Sequence, residues 1–411
     1  MGKAIGCISR PSRKRKLHQE GNDMMDFFLD ELTEDLLERV LSWLPTSTFC
    51  RLSSVCKRWQ TVAASETFKL ACSRIPSRDP WFYMVDPNRK QSVVFDSAER
   101  SWKKLSHPPL LLHNFNYDSI PVAASAGLVC FRNRSGDYIV CNPVAGSCRE
   151  HPPVDPDSQD RSLHAVAMNV YSNYHGSYKL FLVSGDLPKL SLKVYNSSAD
   201  CWEEETMLRR KADDCSEFDS NDDDAMYFLS KAGNVVATNM QRSPSKQYSS
   251  VITLKDGEEI VYFLSTSGTV VACNLTHKYF SEYPRLLPVF YEYSIDVVEG
   301  KGEMLIVVLS ELFESASLRV WRCDEKTKTW NQIAAMPPAM SHEFYGKKVD
   351  INCVGAGDQI FICLSSAELF SYVLCDLVTN DWVELPKCSM NGEALEFMSA
   401  FSFQPRIEAS V

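Results

Sequence analysis

The sequence predicts a multidomain protein, α plus all-β, in which a small helical domain precedes a β-propeller of six or seven blades. Two observations predict it: a helical period of apolar residues near the start, and a strand-and-turn repeat over the rest. In the repeat, a short polar residue that ends an apolar run is followed six positions later by a bulky residue. A period of about 50 residues is typical of arrays in which each unit is one small sheet. The six pairs are Asp96 and Trp102, Asn142 and Cys148, Asn196 and Trp202, Asn274 and Phe280, Asp324 and Trp330, and Asp376 and Trp382.

The repeat also indicates how each blade is built. Its polar residue can close the turn between two strands, and its bulky residue can pack between neighbouring blades. Radial repetition of such units leaves few free strand edges, which favours a propeller. The first unit lacks a strand before Trp81, and we expect the strand-like run 397–403 to complete it. An internal duplication aligns Asn239 with Asn274, so Asn239 indicates a seventh, degenerate unit.

The helical period begins at Thr33 and ends at Pro45. Thr33 is a candidate N-cap, and the acidic residues of the first turn suit the helix dipole. A second apolar pattern from Phe49 to Val62 and a short helix after Ser65 complete a three-helix unit. Because about 40 residues is near the lower limit for independent folding, part of the apolar face should meet a partner protein; the alternative is packing on the propeller. The apolar positions of the first helix are Leu36, Leu37, Val40, Leu41 and Leu44.

The run LDELTEDLLERVLSWLP at 29–45, followed by RLSSVCKRW at 51–59, resembles an F-box. The resemblance implies binding to a Skp-type adaptor and, through it, to a cullin-based ubiquitin ligase. Val55, Cys56 and Trp59 match positions that pack the motif or complete the contact. The positions that match adaptor-facing residues of the family are Leu32, Leu36, Leu37, Val40, Leu41, Leu44 and Pro45.

The later repeats resemble kelch repeats. Val320 to Trp330 and Leu374 to Trp382 carry the resemblance, and the run AGLVCF at 126–131 looks like the plant F-box/kelch proteins in particular. It implies a kelch-like propeller that binds a protein substrate through its loops. The expected domains are a disordered basic tail over 1–25, the F-box over 26–72, a linker over 73–80, the propeller over 81–405, and a tail over 406–411.

Composition excludes several classes of function. The net charge of −10 argues against direct nucleic-acid binding. No apolar run approaches the ~20 residues that cross a bilayer, and no signal peptide is visible, so we expect no membrane association and a location in the nucleus, the cytoplasm or both. Arg13-Lys14-Arg15-Lys16 is a candidate nuclear import signal, and the alternative is a solvated tail. The cysteines are expected to be reduced.

Neither catalytic machinery nor a metal or cofactor motif is visible, so we expect a non-catalytic subunit with no cofactor. The expected function is substrate recognition in a Skp–cullin–F-box ubiquitin ligase. One alternative is a non-degradative adaptor-binding scaffold or transcriptional co-regulator, and a propeller enzyme is a further one. The candidate substrate-binding loops are 107–120, 151–162, 207–224 and 339–348, because loops on a rigid frame carry binding. The aromatic anchors proposed in them are Phe115, Tyr117, His342 and Phe344, with inter-blade packing as their alternative role.

Overall fold

A computed structural model describes 32–86, 91–105, 119–154, 162–172, 176–211, 227–229, 235–237, 246, 248–265, 268–286, 293–312, 314–390 and 392–411. The basic N-terminal tail with its candidate import signal lies outside these residues, as do Phe115, Tyr117 and Asn239. The described part of the chain contains a four-helix N-terminal domain and a six-bladed propeller. Within it, no helix is long and apolar enough to span a bilayer.

Four helices form the N-terminal domain, where the sequence pattern predicted three. The second apolar pattern forms two helices, because the chain turns at 53–56. Cys56 is extended there and is the N-cap of the next helix. Pro45 does not end the first helix, which stops at Ser42; it precedes the second helix as its N-cap. Thr33 starts the first helix without a side-chain capping bond. The helices are α1 (Glu34–Ser42), α2 (Thr46–Leu52), α3 (Lys57–Val62) and α4 (Glu66–Ser73).

The core of this domain lies where α1 packs against α4. Leu37 and Leu41, one turn apart on α1, are 0% and 2% exposed. Phe49 of α2 stacks on Phe68 of α4, with ring centroids 4.8 Å apart. Burying such side chains contributes about 1.5–3 kcal/mol each. The domain therefore uses part of its apolar surface for its own core. The remaining buried members are Val62 and Cys72.

In the described residues the propeller has six blades, each built on four antiparallel strands, so six is the correct one of the two predicted blade numbers and the seventh unit is not formed as a blade. In each blade, antiparallel strands run in order from the innermost to the outermost. Blade 1 contains β1 (Trp81–Asp86), β2 (Gln91–Asp96) and β3 (Ser101–Leu105); blade 2 contains β4 (Ile120–Ser125), β5 (Leu128–Arg132), β6 (Tyr138–Cys141) and β7 (Cys148–Glu150); blade 3 contains β8 (Leu163–Ser172), β9 (Ser177–Asp186), β10 (Lys189–Asn196) and β11 (Cys201–Trp202), with β12 (Thr206–Met207) beside β10.

The second half of the ring follows the same plan. The segment that shows the internal duplication forms only a two-stranded sheet, β14 (Tyr227–Leu229) with β15 (Val235–Ala237). A short helix, α5 (Pro338–Ser341), lies between the last two blades. Blade 4 contains β16 (Val251–Lys255), β17 (Glu258–Leu264), β18 (Val270–Asn274) and β19 (Tyr279–Glu282), with β13 (Arg209–Arg210) parallel to β19; blade 5 contains β20 (Tyr293–Gly300), β21 (Glu303–Leu312), β22 (Ser315–Asp324) and β23 (Thr329–Ala335); blade 6 contains β24 (Asp350–Ala356), β25 (Gln359–Ser365), β26 (Phe370–Asp376) and β27 (Asp381–Glu384); β28 (Ser389–Met390) pairs with β29 (Glu393–Ala394).

The last strand closes the ring. Strand β30 (Phe401–Phe403) pairs antiparallel with β1, with Trp81 opposite Phe403, and becomes the innermost strand of blade 1. This confirms the expectation that the run near 397–403 completes the first unit. Because the first blade is built from both ends of the propeller sequence, separating its ends would break a full strand pairing.

All six repeat residues close the turns predicted for them. In each case the Asp or Asn Oδ1 accepts hydrogen bonds from backbone N–H groups two or three residues later. The bulky partners bridge blades. Trp102, Trp202 and Trp330 donate their indole N–H to Pro386, Pro152 and Pro284 of the preceding blade's end, at 2.8–2.9 Å. Each repeat therefore supplies one turn within a blade, and the tryptophan repeats also supply a contact between blades.

Two features differ from expectation. Cys141 and Cys148 face each other across β6 and β7 and form a disulfide, although the cysteines were expected to be reduced. The C-terminal segment 406–411, expected to be a tail, is packed between the helical domain and the propeller. Arg406, Glu408 and Ala409 are each 3% exposed.

Candidate functional site

An apolar stripe remains exposed on α1 and the turn that follows it. Leu36, Val40 and Trp43 lie at i, i+4 and i+7, which places them on one face of a helix. Their exposed fractions are 51%, 50% and 68%. These three residues are called the exposed stripe below. Val55, in the turn between α2 and α3, adds an apolar side chain that is 71% exposed.

A second stripe on the same helix is covered by the domain itself. Leu37 and Leu41 were predicted to face the adaptor, but they form the core against α4. The physical reason is that successive helical residues differ by about 100° in direction, so Leu37 points inward where Leu36 points outward. The prediction is corrected accordingly: Leu36 and Val40 are available to a partner, and Leu37 and Leu41 stabilise the fold.

The other predicted adaptor-facing residues fall between these extremes. Leu32, Leu44 and Trp59 pack partly against the helical core and keep part of their surface. Pro45 is exposed where α2 begins. Sequence reasoning missed Trp43, the most exposed member of the stripe. Its spacing of seven from Leu36 was the signal that could have found it.

Charged residues frame the stripe. Arg58 of α3 donates to Glu34 at the start of α1, with Nε and Oε1 2.9 Å apart, and also donates to the carbonyl oxygen of Leu32. These contacts tie α3 to the first turn of α1. They limit movement of α3, and of the turn before it that carries Val55, relative to α1.

The helical domain is fixed to the propeller beside blade 1. Ser47 donates to Glu99 at 2.8 Å, and Arg51 donates to both carboxylate oxygens of Glu99 at 3.0 and 2.8 Å. Hydrogen bonds from Lys103 and Ser47 lower the pKa of Glu99 to about 2. Arg78 of the linker donates to the carbonyl oxygens of Leu44 and Ser42, both at 2.9 Å. The carboxylate is therefore charged, and these bonds stay in place, across the physiological pH range.

The predicted substrate-binding loops all join the outer strand of one blade to the inner strand of the next. Strand direction alternates within each blade, so these connections attach at one face of the ring. The turns closed by Asp96 and Asn142 lie at the opposite face, and the helical domain contacts that face through Ser47 and Glu99. The described ends of the predicted loops therefore lie on the side of the propeller away from the exposed stripe.

The anchors proposed in these loops are only partly available. Phe344 is 4% exposed and packs in the core of blades 5 and 6, so it cannot anchor a ligand on the surface; the alternative role of inter-blade packing is correct for it. His342 is exposed and stacks on Tyr345, with centroids 6.3 Å apart and planes at 6°. Tyr345, at 41% exposure, was missed. An aromatic in a loop gives no periodicity from which its direction could be predicted.

The centre of the propeller holds a cavity of about 560 Å³. Lys246 reaches into it, is 3% exposed, donates to the carbonyl oxygen of Cys353 and lies 3.5 Å from Asp296. Burial raises the pKa of the Cys353 thiol well above its usual value, which disfavours the nucleophilic thiolate. Among the described residues, no group of three His, Cys, Asp or Glu side chains could hold a metal ion.

Comparison with known proteins identifies the helical domain. The F-box domain family matches residues 29–70. F-box only protein 13 of Arabidopsis thaliana is 53% identical over 97% of this chain and 90% of its own length. F-box only protein 6 of the same plant is 26% identical over 88% of this chain and 70% of its own length. An F-box/kelch-repeat protein of Arabidopsis thaliana is 29% identical over 43% of this chain and 46% of its own.

The identity to a full-length relative and the match of the helical domain agree with the geometry described above. The exposed stripe belongs to the matched segment, and the six-bladed ring accounts for the rest of the aligned length. The chain therefore belongs to the plant F-box proteins, and it joins an F-box to a six-bladed β-propeller.

Proposed function

We propose that this protein is the substrate-recognition subunit of a Skp–cullin–F-box ubiquitin ligase. The F-box would dock a Skp-type adaptor, and through it a cullin, while the propeller holds a target protein. The observation that carries the proposal is the exposed stripe of Leu36, Val40 and Trp43. These side chains are at least half exposed, whereas Leu37 and Leu41 of the same helix are buried, which indicates a surface that another protein covers.

The mechanism is proximity. A target held by the propeller is kept near an activated ubiquitin, so the effective concentration of its lysines rises and the transfer becomes effectively intramolecular. The chain itself makes and breaks no bond in this scheme. Rigid seating of the F-box beside blade 1 supports it, because a fixed frame limits the volume that the target explores.

The target would bind at the propeller face opposite the F-box. His342 and Tyr345 offer an exposed aromatic pair there, and aromatic residues dominate many binding hot spots. Phe115 and Tyr117 stay proposed anchors on the same connections. This placement leaves the adaptor and the target on separate surfaces, so both can be bound at once.

The location proposed is the nucleus, the cytoplasm or both. Arg13-Lys14-Arg15-Lys16 supports nuclear import, because a short basic cluster suits an import receptor. Replacing these four residues by Ala and following a fluorescent fusion in plant cells tests it. An unchanged nuclear fraction would remove the cluster from the proposal.

The adaptor contact is tested by co-purification with a Skp-type adaptor. The variant Leu36→Ser, Val40→Ser, Trp43→Ser should lose the adaptor while keeping its helical circular dichroism. The matched control is Leu254→Ser, since Leu254 is 68% exposed on the propeller. Unchanged adaptor binding by the triple variant would contradict the proposal. Affinity capture with the proteasome inhibited then identifies the target; bound partners whose abundance never changes on inhibition would indicate a non-degradative scaffold instead.

A further inference from the structure

The last seven described residues, Pro405–Val411, form a strap that touches both domains. The strap follows β30 and runs between the F-box and blades 2 and 3. Four of its seven residues are buried, with Arg406, Glu408 and Ala409 each 3% exposed, and the other three are half-buried. A segment of this kind contributes to the relative orientation of the domains that it contacts.

On one side the strap is bonded to the F-box and the linker. Thr46 at the start of α2 donates its hydroxyl to the Pro405 carbonyl oxygen at 2.5 Å. The Arg406 guanidinium donates to the carbonyl oxygens of Ile75 and Pro76, each at 3.1 Å. Ile407 packs against the F-box core. Arg406 thus uses its planar, multiple-donor geometry to hold the linker, which a Lys side chain could not reproduce.

On the other side the strap is bonded to blade 2. Asn142 donates its side-chain amide to the carbonyl oxygens of Arg406 and Ala409, both at 2.8 Å. A Cβ on Gly127 would lie 2.6 Å from the Ala409 Cβ and 2.9 Å from the Arg406 Cβ. Blade 2 therefore approaches the strap too closely for any side chain at Gly127. Ala409 completes the apolar core between blades 2 and 3.

Asn142 has two roles, and each is performed by a different atom of its side-chain amide. Its Oδ1 closes the repeat turn by accepting from Val144 and Ala145, as the corresponding atom does in the other blades. Its Nδ2 holds the strap, and an Asp at this position could close the turn but could not donate. The strap contact therefore requires Asn specifically, whereas the turn accepts either residue.

A buried ion pair orders the strap internally. Arg406 and Glu408 lie 3.0 Å apart, with their side chains 4% and 0% exposed. By contrast, the Arg51 side chain, which pairs with Glu99 where the F-box meets blade 1, is 63% exposed. Water and salt screen an exposed pair more strongly than a buried one, so the pair inside the strap is screened less than the Arg51–Glu99 pair.

We propose that Asn142 and Arg406 are positioning residues, which act through the strap to fix the adaptor-binding stripe relative to the cargo face of the propeller. The inference rests on the proposed function for its consequence, because a fixed orientation determines which lysines meet the activated ubiquitin. Loosening the strap leaves both binding surfaces intact and changes the geometry between them.

The test uses the full chain and compares Asn142→Asp with Asn196→Asp. Asn196 closes the equivalent turn in blade 3 through its Oδ1, which accepts from the Ser198 backbone N–H. Amide hydrogen exchange in peptides covering 405–411 and 74–80 should become about tenfold faster in Asn142→Asp and stay unchanged in Asn196→Asp. Equal exchange in the two variants overturns the proposal, as does faster exchange confined to the strands of blade 2.

Adaptor binding and ubiquitin transfer complete the test. Asn142→Asp should bind a Skp-type adaptor within about twofold of wild type, but the assembled ligase should modify a broader set of lysines on the propeller itself. An unchanged set of modified lysines overturns the positioning role. Failure of the wild-type chain to bind any adaptor would contradict the proposed function. The comparison of hydrogen exchange would still show whether the strap holds the F-box.

A second pair of variants covers the case in which Asn142→Asp does not fold. Thr46→Val removes the hydroxyl that binds the Pro405 carbonyl, with almost no change in shape. Thr48→Val is its control, since Thr48 lies on the same helix and contacts Arg51 instead of the strap. Faster exchange of 405–411 in Thr46→Val alone supports the proposal, and equal exchange in both overturns it.

Discussion

Neighbouring leucines on α1 should respond to truncation in opposite ways. Leu37 is 0% exposed and Leu36 is 51% exposed, although both match adaptor-facing positions of the family. Leu37→Ala leaves a cavity in a small core and should destabilise the F-box by about 2–5 kcal/mol. Leu36→Ala removes surface that is already half solvated, so it should change F-box stability by less than about 0.5 kcal/mol.

The effect on adaptor binding follows from the same exposures. Full burial of a Leu side chain contributes about 1.5–3 kcal/mol, and Leu36 has about half of its surface left to bury. Leu36→Ala should therefore weaken adaptor binding by about 0.8–1.5 kcal/mol, or roughly 4- to 12-fold. Leu37→Ala should weaken adaptor binding only in proportion to the fraction of F-box that is unfolded. The loss of affinity should therefore increase with temperature.

Calorimetric titration of the Skp-type adaptor at two temperatures, with hydrogen exchange of α1 and α4 on the same samples, separates these effects. Val40→Ala serves as a second exposed position at 50% exposure. A Leu37→Ala chain with full F-box protection but lost adaptor binding would refute the division into a buried and an exposed stripe. So would a Leu36→Ala chain whose F-box unfolds.

Three further predictions concern the propeller. Gly355→Ala should prevent correct docking of blade 6, because the new Cβ would lie 1.6 Å from the Glu299 carbonyl oxygen, and loss of soluble full-length chain would show it. Burial, together with the nearby Arg149 charge, lowers the pKa of His151 to about 4. Because the unfolded chain binds a proton at this histidine below about pH 6.5 and the folded chain does not, the free energy of unfolding should fall by up to about 3 kcal/mol between pH 6.5 and 4. In thermal melts, His151→Phe should reduce this dependence of stability on pH. Trp202→Phe should cost about 1 kcal/mol in urea unfolding through the lost indole bond, and an unchanged midpoint would contradict the bridging role.

The propeller was largely predictable because its turns have a chemical requirement. An Asp or Asn that accepts one or two backbone N–H groups closes one turn in each blade, and its position is visible in the sequence without knowing any partner. The seventh unit was predicted wrongly for an equally physical reason. The segment at Tyr227 repeats the hairpin at Tyr262, with Tyr opposite Ala in both. A duplicated hairpin is evidence for two strands only, whereas a blade requires four, so the duplication did not indicate a complete blade.

The candidate adaptor-binding site was predictable as a segment of the sequence but not as a surface. A helical period shows that α1 has one wide apolar face, and it cannot show which half the domain covers itself. That depends on α4, whose Phe68 and Cys72 occupy the side of Leu37 and Leu41. The strap was missed because its apolar and charged residues follow no period. Its contacts with the F-box, the linker and blade 2 all join residues far apart in sequence.

The face that carries the F-box follows from how the ring closes. The F-box precedes β1, and β1 is the second strand of blade 1 because β30 supplies the first. Second strands begin at the face where the Asp and Asn turns lie, since strand direction alternates within each blade. Had β1 been an innermost strand, the F-box would have entered at the opposite face, among the proposed cargo loops. Closure by the C-terminal strand therefore places the exposed stripe and the proposed cargo loops on opposite sides of the ring, and it also brings Pro405–Val411 into contact with the F-box.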